Sequence, residues 1–126
     1  DLARAFPQVQ ICIDHCAIPM GRDAESFRRW RTAMDVMARS PNVTMKVSGL
    51  GMGDPLWTVA SIRPYVLGSI EAFGTGRVVF GTNWPVDRMF SSYPDVINAY
   101  AEIISGFSRE EQVAMFSGNA ERLFRI

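Results

Sequence analysis

Apolar positions along the chain follow two rhythms. Three short runs, residues 9–13, 43–48 and 77–80, are dense in Val, Ile, Met and Phe and read as buried strands. Each follows a turn signal: Phe6-Pro7-Gln8, Ser40-Pro41-Asn42 and Gly74-Thr75-Gly76. Each leads into a loop carrying glycine or proline, and the run starts lie 34 residues apart.

Between the runs the rhythm changes to helical spacing. Phe27, Trp30, Met34 and Met37 recur every third or fourth position over residues 24–39. Val59, Ile62, Val66, Leu67 and Ile70 do the same over 56–73, with Pro64 expected to kink or restart the helix. Pro94 stands in the first turn of a further helix whose apolar face is Val96, Ile97, Tyr100, Ile103 and Ile104. Ser108 and Glu111 form a capping-box pattern opening a helix over 109–116. A short helix over 120–124, capped by Asn119, closes the chain.

Strand and helix alternating at a regular period predict an α/β fold with parallel strands and right-handed crossovers. An open doubly wound sheet and a (β/α)8 barrel compete. Both meet their ligands at the carboxyl ends of the strands. No G-x-G-x-x-G follows the first run, which weighs against a dinucleotide fold. Three strands cannot close a barrel, which usually takes about 250 residues, so a barrel sequence would be half present.

Composition narrows the partners. With 126 residues, 48% hydrophobic and 21% charged, the chain is too apolar for disorder. Thirteen basic and 13 acidic side chains leave no net charge, so neither nucleic acid nor an anionic membrane is expected as a partner. No apolar stretch approaches the ~20 residues that span a bilayer. The start, Asp1-Leu2-Ala3-Arg4, has no initiator Met and no signal-peptide pattern, and reads as the middle of a longer chain. Cys12 and Cys16 are expected as free thiols, which suits a reducing, cytoplasmic compartment.

Candidate chemistry gathers where the runs end. The first ends Asp14-His15-Cys16, and His15 is the sole histidine. Neighbours on a strand face opposite ways, so Asp14 and His15 are not both expected in one site through regular β geometry. The second run carries Lys46, which either reaches a wet cavity and an anionic group or snorkels at the sheet edge. The third ends in Gly81-Thr82-Asn83-Trp84-Pro85-Val86-Asp87. Asn83 can orient a water or a substrate oxygen but cannot act as a base; Asp87 can, if the loop folds back.

The segments ICIDH, PNVTMKVSGLGM, GRVVFGTNWPVDRMFSSY and FSGNAERLFRI, in this order, resemble the C-terminal half of the amidohydrolase-related family. That family includes sugar lactonases, dicarboxylate lactonases and metal-dependent decarboxylases. The resemblance implies the portion of a (β/α)8 TIM barrel holding strands six to eight and their helices, with residues 1–126 one partial unit. It matches His15 to the histidine after strand six and so implies a metal or carbonyl contact there. The acid expected after strand eight is replaced by Asn83, an amide that an apparent branch with the GTNWPVD pattern shares. The family's His-x-His pair falls outside this segment.

The function so implied is hydrolysis of a lactone or similar cyclic ester of a small carboxylate or sugar acid. His15, Asn83 and Asp87 would be catalytic, and Lys46 and Trp84 would bind substrate. A divalent metal, zinc or manganese, would sit at His15 unless the enzyme is metal-independent. The alternatives are a metal-dependent decarboxylase and a half-barrel without activity of its own, stable as a homo-oligomer.

Overall fold

The computed structural model describes residues 2–126. Its centre is a three-stranded parallel sheet in the order β1 (Ile11–Ile13), β2 (Val43–Val47), β3 (Val78–Phe80). Ile11 pairs with Val43, and Met45 with Val78. Besides the opening turn α1 (Leu2–Ala5), helices α2 (Ala24–Ala38), α3 (Val59–Phe73) and α4 (Tyr93–Ile103) follow the strands in turn. The chain closes with α5 (Arg109–Val113), a π-helical turn over Ala114–Gly118 and α6 (Asn119–Phe124).

Alternation along β2 divides the sheet into two faces. Val43, Met45 and Val47 join Val78 in the core with Trp30 and Met34 of α2, Ile62, Val66 and Ile70 of α3, and Tyr100 and Ile103 of α4. Phe27, Trp30 and Tyr65 interlock there with ring centroids 5.0–5.5 Å apart, in the tilted and edge-on arrangements aromatic rings prefer. The other face carries Cys12, Thr44, Lys46 and Ser48, with Gly81 against the Lys46 stem.

Local chemistry explains the boundaries. Asp23 caps α2, accepting from the amides of Glu25 and Ser26. Thr58, Ser92 and Ser108 each close a reciprocal capping box at the starts of α3, α4 and α5.

Several expectations need correction. Residues 9 and 10 are not strand: Val9 turns back through its amide to the Phe6 carbonyl, and pairing begins when the Ile11 amide meets the Asn42 carbonyl. Arg77 lies in a helical turn before β3, where its guanidinium caps the carbonyls of Ala38, Ser40 and Val43. Leu56 precedes α3 and is 90% exposed, and Pro64 lies within α3 and does not restart a helix. Pro64 is solvent-exposed, so the carbonyl left without its N–H can be solvated. Finally, Asn119 is a helical residue, not a cap. Its buried amide donates to the carbonyls of Thr75 and Val78, tying α6 to the start of β3.

Candidate active site

The backbone departs from ordinary geometry where β1 ends. His15, Cys16, Ala17 and Ile18 all have positive φ, from 51° to 57°, a left-handed turn of four non-glycine residues. Each such residue costs roughly 1–2 kcal/mol relative to the right-handed form, so the surroundings must hold it. Three hydrogen bonds do so. The Ala17 amide donates to the Asp14 carbonyl, the Ile18 amide to the His15 carbonyl, and the Trp30 indole to the Cys16 carbonyl at 2.7 Å. The Cys16 side chain is fully buried beside Ser69, and burial pushes its thiol up to about 11, so it is chemically quiet.

This turn overrides the strand alternation that would send Asp14 and His15 to opposite faces. Asp14 reaches Lys46, with Oδ1 3.2 Å from Nζ, and His15 Nδ1 lies 2.8 Å from Ser48 Oγ. Lys46 lies in β2 and Ser48 just past its end, both against Gly81 on the polar face. Asp14 and His15, just past β1, therefore serve one face. Cys12 stands near the same pair, and its thiol is raised by burial and then by Asp14, against the opposing effect of Lys46. Lys46 is thus neither buried alone nor free at an edge; an exposed carboxylate holds it on the polar face.

The loop after β3 folds back on itself. Asn83 has φ 55°, and its backbone carbonyl accepts from the Asp87 amide at 3.2 Å. Its side-chain amide donates to Asp87 Oδ1 at 2.8 Å. Asp87 is 2% exposed, and burial raises its carboxyl above the ordinary value, opposed first by the Asn83 hydrogen bond and then by the nearby His15. Among the described residues no cation touches this buried carboxylate, which is costly, and such perturbed carboxyls concentrate at functional sites. Trp84 lies at the rim, edge-on to Tyr93 at 5.6 Å, and is 38% exposed.

The structure thus brings His15, Asp87 and Asn83 to the carboxyl end of the sheet, with Lys46 on its polar face and Trp84 at the edge of the loop. Ser48 and Asp14 were not singled out from the sequence. A serine two residues beyond a buried lysine is a signal only once the β2 alternation is known, and the Asp14 contact depends on the left-handed turn. Among the described residues, no group of three or more His, Cys, Asp or Glu is placed to hold a metal ion. The donors among the described residues therefore do not by themselves fit one. No helix among the described residues is long and apolar enough to cross a membrane.

An uncharacterised protein, y4mH, of Sinorhizobium fredii is 47% identical over the whole chain, which spans 42% of that relative's length. An L-fucono-1,5-lactonase of Burkholderia ambifaria is 33% identical over 98% of the chain and 44% of its own length. The chain thus spans less than half the length of these curated relatives. A crystal structure of an amidohydrolase from Burkholderia multivorans with bound zinc superposes with a TM-score of 0.93 at 26% identity, covering 99% of this chain and 47% of that one. The amidohydrolase family model matches residues 1–126, and the chain belongs to that family.

Proposed function

We propose that residues 1–126 are one partial unit, strands six to eight, of a (β/α)8 barrel, and that the whole barrel opens a lactone of a small sugar acid. The observation that carries this reading is the buried Asp87 carboxyl, held by Asn83 near His15 at the carboxyl end of a parallel sheet. The lactonase name of a relative that matches nearly the whole chain supports the substrate class.

In this reading Asp87 is the base that deprotonates the attacking water. Burial keeps it more basic than an ordinary aspartate, which favours proton uptake. Asn83 uses one amide hydrogen to fix Asp87 and keeps its own oxygen and second hydrogen to orient the water. His15 contacts the lactone carbonyl oxygen, where negative charge grows as water adds to the carbon. The ring C–O bond then breaks, and the departing alkoxide takes the proton that Asp87 had accepted. The products are a hydroxyl and a carboxylic acid, which ionises to the carboxylate and releases one proton to solvent. Lys46 steadies the new carboxylate, and Trp84 offers an apolar surface to the sugar ring.

The test is proton release from a panel of sugar-acid 1,5- and 1,4-lactones by the full-length protein. Hydrolysis of at least one lactone well above the spontaneous rate is expected. Inertness toward the whole panel would sink the proposal.

A further inference from the structure

The contact between Ser48 and His15 has a direction, and the direction follows from burial. Ser48 is 0% exposed, so neither water nor another part of a longer protein reaches its hydroxyl. Among the described residues the Ser48 hydroxyl has one hydrogen-bond partner, His15 Nδ1 at 2.8 Å. A hydroxyl carries one hydrogen, and a buried hydrogen without an acceptor costs about 1–3 kcal/mol. If Nδ1–H donated to Oγ, the Ser48 hydrogen would be left without an acceptor. Donation from Ser48 to an unprotonated Nδ1 leaves neither group short.

We infer that Ser48 is a positioning residue that donates to His15 Nδ1 and so fixes the neutral ring with its proton on Nε2. His15 then presents an N–H donor to the site, suited to a carbonyl oxygen or an oxyanion. It does not present a lone pair, which a general base or a metal ligand at Nε2 would need. Ring orientation is set by the same pair of elements. A Cβ added at Gly49, whose φ is +62°, would stand 2.9 Å from Nδ1, so the backbone after Ser48 packs directly against the imidazole. The left-handed turn supplies the other half of the clamp, since it turns His15 toward Ser48.

The inference rests on the reading of His15 as a site residue, yet it is tested without any substrate. A two-bond 1H–15N correlation spectrum of the full-length 15N-histidine-labelled protein at alkaline pH reads this ring, identified by the signals that disappear in His15→Gln. The expected pattern is the Nε2–H tautomer alone. An Nδ1–H pattern, or a mixture of the two, overturns the inference whatever the lactone assays show. Ser48→Ala supplies a second readout: the Nδ1–H form should become measurable, and Ser48→Thr, which keeps the hydroxyl, should restore the single pattern. Where Ser48→Ala does not fold, the wild-type spectrum decides alone.

Discussion

Asn83 and Asp87, four residues apart, are joined twice. The Asn83 amide donates to the Asp87 carboxylate at 2.8 Å, and the Asp87 backbone amide donates to the Asn83 carbonyl at 3.2 Å. The loop is thereby closed around a carboxyl that is 2% exposed. An amide at position 83 cannot take a proton, but here it holds the side chain of an acid that can. In the proposed reading the two act together, with the base four residues along the chain from the amide.

Asp87 should limit stability at neutral pH. Burial raises its folded-state value above 3.8, so between 3.8 and that higher value the native state binds more protons than the unfolded state. The stabilisation from that proton is complete below 3.8 and is lost as pH rises through the folded value. Asp87→Asn keeps an acceptor for Asn83 and removes the buried charge. Thermal melts should show an unchanged or higher Tm at neutral pH and a weaker fall of stability across the acidic range. A lower neutral-pH Tm for the variant would contradict this.

Gly49→Ala should be costly for two reasons. The backbone there has φ +62°, and the added methyl would stand 2.7 Å from Met52 Cε and 2.9 Å from His15 Nδ1. The left-handed conformation alone costs a non-glycine residue about 1–2 kcal/mol, before any movement of His15. Urea denaturation should show at least that loss.

Trp30→Phe tests what holds the left-handed turn. The ring volume is largely kept, but the Cys16 carbonyl loses the indole donor 2.7 Å away. Orphaning a buried acceptor costs about 1–3 kcal/mol, and the loss of ring area adds to it. Cys16 should then react with thiol reagents under native conditions, where the wild-type side chain is sealed.

Lys46→Met should separate stability from binding. Asp14, its partner, has a side chain 59% exposed, so breaking the pair should change stability by only about 0–1 kcal/mol. If Lys46 meets the product carboxylate, the full-length variant should bind sugar-acid product more weakly, measured as a raised inhibition constant. Unchanged product inhibition would remove Lys46 from the site.

Much of the fold was legible because apolar periodicity and turn residues carry it. The runs that became β2 and β3, the helix from residue 24, and the capping pairs at Thr58, Ser92 and Ser108 are all local signals, though only the Ser108 box was read as such. What sequence reading missed depends on distant contacts. Val9 and Gln10 have strand-like neighbours but no partner strand at their height, because pairing starts at Ile11. Asn119 looks like a cap by type, and only its contacts with Thr75 and Val78 show it as a strut. For the site, the strand ends pointed to His15, Lys46 and the loop from Asn83 to Asp87. The convergence of Asp14 and His15 on one face was hidden, since a left-handed run at His15–Ile18 has no glycine to announce it.

The central claim is that Asp87 supplies the base which Asn83 cannot. Its most direct test is the lactone hydrolysis rate of the full-length protein carrying Asp87→Asn, with Tm measured alongside to confirm folding. Removing a general base should lower kcat by roughly 10²–10⁴-fold while the variant melts no lower than wild type at neutral pH. A folded Asp87→Asn enzyme that keeps kcat within a few fold of wild type would contradict it.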